Sequence, residues 1–320
     1  VTRFAVTVPV RGVALGEHAG ALAALERAGY TDFWTQEVRG FDALTPLAAL
    51  AAQAPAARLG AAIAGVYSRG PALLAMEAAA LAEAAPGRFV LGIGTSSETI
   101  VEGWNAARFE RPLARMRDTL RFLRAALAGE RIDTAYETFA VRGFALDRPP
   151  AAPPPLLVAA LRERMLALAG AEADGVCLSL VTPDDVRRVR PAFEAAGGRG
   201  KEVFLRVGVF ALADATRARR MARKLLAPYF AAGPYARLHA ELGRGREVEA
   251  VAAALRAGER EAAWAALPGA WLDGVVAYGA PDACRAQLAR FLDAGVTTLC
   301  VDVLASDLPW LEAQRAVLPR

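Results

Sequence analysis

Strand and helix patterns alternate along this chain almost from its first residue, and that alternation limits the possible folds more than any single motif does. The spacing predicts strand 3–9, helix 15–28, strand 31–35, helix 46–54, strand 58–65, helix 71–85 and strand 88–94. A helix over Pro112 to Leu127 places Met116, Leu120 and Leu123 at helical spacing, and residues 131–144 read as an irregular excursion with hairpin character. Strand 155–160, helix 162–172, strand 175–179, helix 183–196 and strand 202–211 resume the rhythm. A helical region from 215 to about 266 leads to strand-like 273–278, helix 281–293, strand 297–301 and a last helix near 308–317.

Junction chemistry supports these boundaries. Thr45-Pro46 and Thr182-Pro183 each place a cap residue before a proline at the first helical position, with Asp185 as an acidic first turn. Gly29, Gly175 and Gly295 each stand between a helix and an apolar strand, where a glycine can end the helix. The repeated unit predicts a single TIM-type (β/α)8 barrel, with an insertion after strand 4 and extra helices after strand 7. An open doubly wound sheet shares this periodicity and stays as the alternative. At 320 residues, without a low-complexity hinge, the expectation is one domain over 1–320 with one large core.

The net charge of +4, from 38 basic and 34 acidic residues, is too modest to point to nucleic acid, although Arg217-Ala218-Arg219-Arg220 is locally basic. Cys177, Cys284 and Cys300 lack metal-ligand spacing and fit a reducing compartment better than a disulfide framework. The start Val1-Thr2-Arg3 enters a strand pattern at once, and apolar runs such as Leu47 to Leu50 end in Gln53 or charge well before spanning length. A cytoplasmic protein, with neither membrane nor nucleic acid as partner, is expected.

A barrel brings its strand C-termini and the loops after them to one mouth, so segments 35–42, 61–70, 92–104 and 160–165 should converge. Glu37 and Asp42 can orient polar groups of a ligand, or instead cap the helix near Thr45 or pair with Arg39. In the strand end Ala62-Ile63-Ala64-Gly65 the small residues can let a flat ligand approach the backbone, while Tyr67, Ser68 and Arg69 offer polar contacts; close packing with Tyr67 as rim support is the competing reading. Gly92, Gly94, Thr95, Ser96 and Ser97 close an apolar run with a loop of small and hydroxyl residues that can supply backbone amides. This is not the Gly-x-Gly-x-x-Gly dinucleotide fingerprint, because Ser97 stands where the third glycine belongs. Glu98, Glu102 and Trp104 follow, Trp104 as a stacking wall or an anchored lid. At Ala160, Leu161, Arg162, Glu163, Arg164 and Met165, free amides of a helix start can hold phosphate, assisted by Arg162 and Arg164 unless these simply face solvent.

His18 and His239, the only histidines, fall in peripheral helical patterns, so neither a histidine-rich metal centre nor a histidine-dependent triad is expected. With no Gly-x-Ser-x-Gly elbow either, the pattern favours an enzyme whose reactive centre belongs to an organic cofactor.

Several motifs together carry a resemblance: Val66-Tyr67-Ser68-Arg69, Pro71 to Ala75, Gly87 to Ser96, Val101-Glu102-Gly103-Trp104 and Arg111 to Arg115. Tyr235 to His239 and Tyr278-Gly279-Ala280-Pro281 add to it. Over residues 3 to 303 the chain resembles the luciferase-like monooxygenase superfamily, and within it the compact branch that uses the deazaflavin coenzyme F420 and is similar to methylenetetrahydromethanopterin reductase. The resemblance implies a homodimer with a cofactor across the barrel mouth, its ring near strands two and three and its phosphate at the helix after strand five. It also implies a non-proline cis peptide, matched here by Ala62-Ile63. Relatives often carry His where Val38 stands and Gly where Arg162 stands. Glu37 is then the first acid/base candidate, followed by Tyr67 and Glu98, and Phe230, Tyr235 and Trp271 are candidate substrate-lining residues.

The function so implied is F420-dependent hydride exchange with an organic substrate. An FMN-dependent luciferase-like monooxygenase and a flavin-binding protein with degenerate catalysis are the alternatives, the latter prompted by Val38. The only lysines, Lys201 and Lys224, lie outside the motif loops, so an apolar or moderately polar substrate is expected rather than a sugar phosphate.

Overall fold

A computed structural model describes residues 2–319. Its strands are β1 (Arg3–Thr7), β2 (Asp32–Thr35), β3 (Arg58–Gly65), β4 (Phe89–Gly94), β5 (Ile132–Ala135), β6 (Ala140–Phe144), β7 (Leu156–Ala159), β8 (Gly175–Ser179), β9 (Glu202–Ala211), β10 (Ala277–Tyr278) and β11 (Thr298–Ser306). The helices are α1 (Ala19–Ala28), α2 (Thr45–Leu50), α3 (Pro71–Ala84), α4 (Pro112–Leu127), α5 (Glu163–Glu172), α6 (Pro183–Phe193), α7 (Ala215–Phe230), α8 (Gly233–Glu241), α9 (Gly245–Arg256), α10 (Arg260–Ala266), α11 (Gly269–Val275), α12 (Pro281–Asp293) and α13 (Trp310–Val317). The main sheet runs β10-β9-β11-β1-β2-β3-β4-β7-β8, and a further pairing of β9 with β8 closes eight of these strands into a barrel. The expected (β/α)8 fold is therefore present, with the β5–β6 hairpin as the insertion after β4 and α7 to α11 as the extra helices after the seventh strand of the ring, β9.

The chain forms two compact units, one of residues 5–177 and 192–203, the other of residues 1–4, 178–191 and 204–320. In the first, β2, β3, β4 and β7 are parallel and buried along nearly their whole length, as the apolar runs require. At their N-terminal ends lies a polar layer. The buried Asp32 carboxylate accepts from Trp34 Nε1 at 3.3 Å and pairs with Arg58 at 2.6 Å, and Arg58 bonds Glu202 as well. A carboxylate buried without these donors would cost several kcal/mol, so the layer pins β2 against β3. Gly60 is required above it, since a Cβ there would lie 2.4 Å from the Trp34 indole.

The hairpin is fixed to α4. Thr138 donates to Asp118 Oδ2 through its amide at 2.8 Å and its hydroxyl at 2.9 Å, Glu137 bonds Arg111 and Arg117, and Phe122 packs on Tyr136, Phe139 and Phe144. In the other unit, α7 to α11 enclose a second apolar cluster that includes Phe210, Leu226, Phe230 and Trp271.

Several local expectations need correction. Residues 273–278 are not a full strand: α11 reaches Val275 because Trp271, Leu272 and Val275 share one buried helical face, which leaves two residues to pair with β9. Thr45 does not cap α2; Asp42 does, accepting from the Leu44 amide at 2.8 Å and the Thr45 amide at 2.9 Å. Gly175 does not end a helix. It opens β8, where a Cβ would meet the Glu202 carbonyl oxygen at 2.5 Å. Helix α5 stops at Ala173 instead. Thr182 and Asp185 behave as expected and bond reciprocally at the start of α6, 3.0 and 3.1 Å.

Both histidines have buried side chains. His18 is buried and bridges the Val10 amide and the Ala14 carbonyl, each at 2.8 Å. His239 is buried too, stacked on Phe230 at 4.3 Å. The cysteines are buried free thiols, and burial pushes the Cys284 thiol up to about 12. No helix among the described residues is long and apolar enough to cross a membrane.

Candidate active site

Parallel β2, β3, β4 and β7 all deliver their C-terminal ends to one edge, so residues 36–44, 66–70, 95–111 and 160–165 share it. The register between β3 and β4 breaks between Ala61 and Ala64, and the Ala62-Ile63 peptide inside this bulge is cis, as the resemblance implied. The two glycines of β4 serve the bulge. A Cβ on Gly92 would lie 2.3 Å from the Ala61 carbonyl oxygen, and one on Gly94 would lie 2.5 Å from the Ile63 side chain. These glycines let β3 and β4 approach, and Ile63 is left half-buried at the strand end while Ala64 is fully buried.

Beyond β4, Ser96 takes a left-handed backbone (φ 59°), an uncommon state for a residue with a side chain. The amides of Ser96 and Ser97 and the hydroxyls of Thr95 and Ser96 have no protein partner among the described residues. Ser97 accepts from the Ile100 amide at 3.4 Å, which opens a π-helical turn over Thr99–Trp104 that sequence patterning read as loop. Helix α5 likewise begins without a side-chain cap: the Glu163 and Arg164 amides have no partner among the described residues, whereas the Ala160 amide is used by the Cys177 carbonyl at 3.1 Å. Arg164 is exposed and has no partner among the described residues, Arg162 is exposed, and Leu161 and Met165 are half-buried.

Glu37 and Asp42 turn out to belong to a charge network centred on Arg69, not on Arg39. Arg69, 9% exposed, lies 2.6 Å from Glu37, 3.1 Å from Glu77 and 3.6 Å from Asp42. Glu37 also accepts from the Ala43 amide at 3.0 Å. Burial works to lower the Arg69 pKa, but its hydrogen bond to Glu37 and the three carboxylate charges outweigh it and hold the value above normal. For Asp42, burial works upward and is overcome by the Thr45 and Leu44 amides and by Arg69, so its carboxyl sits below the usual range. Glu77 sits above it, because burial outweighs Arg69. Glu77 was missed at the sequence level: it lies inside α3, and only the fold carries it back to the loop before that helix.

Tyr67 donates its hydroxyl to the Glu110 carbonyl and packs on Phe109 at 5.2 Å, and burial pushes its pKa up to about 12. Arg115 bonds the Val66 carbonyl at 3.1 Å and lies over Phe139 at 4.8 Å, tying the end of β3 to the hairpin. Arg115 and Phe139 were not singled out from the pattern, although Arg115 falls inside a motif that carried the resemblance. Glu98 is exposed and has no protein partner among the described residues. In the other unit, Phe230 and Trp271 are buried and belong to the apolar cluster of that unit; Tyr235 is half-buried and its hydroxyl lies 3.3 Å from Ser179 Oγ.

The model for the luciferase-like monooxygenase family matches residues 2–298. The chain belongs to this family. A putative coenzyme F420-dependent oxidoreductase of Mycobacterium tuberculosis is 29% identical, with 89% of this chain and 90% of the relative covered. The 5,10-methylenetetrahydromethanopterin reductase of Methanolobus tindarius is 26% identical, with 86% of each covered. Among solved structures, the coenzyme F420 dependent tetrahydromethanopterin reductase of Methanopyrus kandleri superposes with a TM-score of 0.78 at 18% identity, covering 99% of this chain and 97% of that one. That likeness speaks for the fold of this luciferase-like family member alone.

Proposed function

We propose that this chain is an F420-dependent oxidoreductase that exchanges hydride between a deazaflavin ring and an organic substrate held beside it. The observation that carries the reading is the donor set on one strand edge. Free amides and hydroxyls at Thr95 to Ser97, after β4, and free amides at the start of α5, after β7, follow in strand order from the apolar bulge at Ile63 on β3. An oxygen-rich ring edge and a phosphate tail are what such donors fit. The F420-dependent relative, covered over nine-tenths of its length, favours the deazaflavin over other flavins.

When bound, F420 supplies the hydride chemistry itself. The chain's part is to bind, orient and exclude water. Ile63 supports the ring, with Ala62 in the bulge beside it; the Ser96 and Ser97 amides orient its polar edge, and the Glu163 and Arg164 amides take the phosphate with Arg162 and Arg164 beside them. Glu37, fixed by Arg69, is a rigid acceptor, and Glu98 is the one acid/base candidate whose carboxylate is unengaged. Tyr67 serves as the wall that its Glu110 bond makes it. The same reading includes one luciferase-like domain over 1–320, a cytoplasmic location and a homodimer, the last supported by exposed Leu73 and Met76 on α3.

Titration with oxidised F420, followed by its fluorescence, and turnover with reduced F420 over a panel of ketones, enones and imines test the proposal. Failure of both redox forms to bind refutes it. The description of the family itself favours one rival, an FMN-dependent monooxygenase, which would consume oxygen with reduced FMN. Tight F420 binding without exchange on any substrate would mark a binding protein.

A further inference from the structure

Arg39 and Trp104 stand on two loops of the same strand edge, after β2 and after β4, with the Arg39 guanidinium 4.9 Å from the centre of the Trp104 ring. Two carboxylates of its own loop are within sequence reach, yet both turn away. Glu37 is bonded to Arg69 and the Ala43 amide, and Asp42 to the Leu44 and Thr45 amides. Arginines in the segments after β3 and β4 are otherwise engaged: Arg69 by three carboxylates, Arg111 and Arg117 by Glu137, and Arg115 by the Val66 carbonyl. Arg39 has no carboxylate partner among the described residues. On the same two loops Trp104 is 44%, Phe41 53% and Val38 41% exposed, beside exposed Glu98 and Glu102.

We propose that Arg39 and Trp104 form the substrate clamp of this site and select a planar organic molecule that carries a carboxylate. This rests on the oxidoreductase reading above and adds the substrate class to it. Magnitudes decide between a clamp and a mere surface pair. An exposed cation–π contact shifts an equilibrium only about two- to fivefold, too little to lock two loops together. A charge-assisted, bidentate bond from Arg39 to a carboxylate is stronger, about tenfold or more, and a flat ring stacked on the indole adds to it. A ligand with both features therefore replaces the Arg39–Trp104 contact favourably, and Phe41 and Val38 offer its apolar body a surface. A ligand with a ring but no charge leaves the guanidinium without a partner and loses the larger part.

The test is calorimetric titration of the whole protein, with and without F420, using naphthalene-2-carboxylate and its uncharged isostere naphthalene-2-carboxamide as probes. The carboxylate is expected to bind at least about tenfold more tightly than the amide. Arg39→Gln should abolish that preference and Trp104→Ala should weaken both probes, whereas Arg256→Ala, at an exposed residue paired with Glu249, should change neither. Both altered residues are at the surface, and F420 affinity measured in the same variants should stay within about twofold. Equal binding of the two probes, no binding of either, or a preference that survives Arg39→Gln overturns the proposal. Carboxylate-selective binding in a protein that takes no F420 would instead overturn the cofactor reading and leave the clamp standing.

Discussion

The stability of this protein should fall on acidification because of one buried imidazole. His239 lies in α8, stacked on Phe230 at 4.3 Å, edge-on to Trp271 at 5.0 Å, with Nδ1 accepting from Arg244 at 2.9 Å. Burial, helped by the Arg244 charge and opposed by Asp185, holds its pKa down from 6.5 to about 4. A group of this kind is neutral in both folded and unfolded chains above pH 6.5. Between pH 6.5 and about 4 only the unfolded chain takes up the proton, so stability is complete above that window and drains away as pH falls through it. From those two values the loss is roughly 1 kcal/mol at pH 5.5 and roughly 2–3 kcal/mol at pH 4.5, approaching a limit of roughly 3 kcal/mol. The perturbation is His239→Gln, which keeps an acceptor for Arg244 and removes the titration. Urea unfolding of both proteins at pH 7.5, 6.5, 5.5 and 4.5 is the assay. Carboxylates titrate alike in both, so the difference between the two curves isolates the imidazole, and the variant should gain on the parent by the amounts above. A difference that stays constant within about 0.5 kcal/mol from pH 7.5 to 4.5 would refute the reasoning.

Replacing Arg69 with Met leaves Glu37, Asp42 and Glu77 facing one another and should cost about 2–4 kcal/mol in urea unfolding, with partial recovery as pH falls and Glu77, already raised, takes a proton. Gly92→Ala sets a Cβ against the Ala61 carbonyl and should cost about 1–3 kcal/mol or more, whereas Gly103→Ala, which meets open space, should change thermal stability little. Tyr67→Phe should cost about 1 kcal/mol through loss of the Glu110 bond, and, since the phenol titrates only near 12, the wild-type rate profile between pH 7 and 10 should carry no step that the variant lacks.

The sequence was most legible where one physical signal ran uninterrupted. Helix α4 matches its expected ends, because Pro112 suits the first turn and Met116, Leu120 and Leu123 bury one stripe. Over residues 269–278 the run was too short for period to separate helix from strand, and only the fit of Trp271 and Val275 into the second core decided it. At the site, the small-residue loops were readable because glycine and hydroxyl types advertise close backbone approach. The charge network was not. Arg69 meets carboxylates 32, 27 and 8 positions away, and nothing in local spacing tells which of several acids a given arginine will choose. Arg39 was the nearer candidate for Glu37, and the fold sent it to an indole instead.

The polar and aromatic anchors of the β5–β6 hairpin to α4 come from Arg111, Arg115, Arg117, Asp118 and Phe122, five positions on or beside a single helix. An excursion moored at one place like this behaves as a cassette. Its outer residues can be lengthened, shortened or exchanged as long as those five moorings keep their partners, the Arg115–Phe139 contact that reaches the end of β3 among them. Diversity among relatives should accordingly gather at the far side of this ribbon, while the mooring positions hold still.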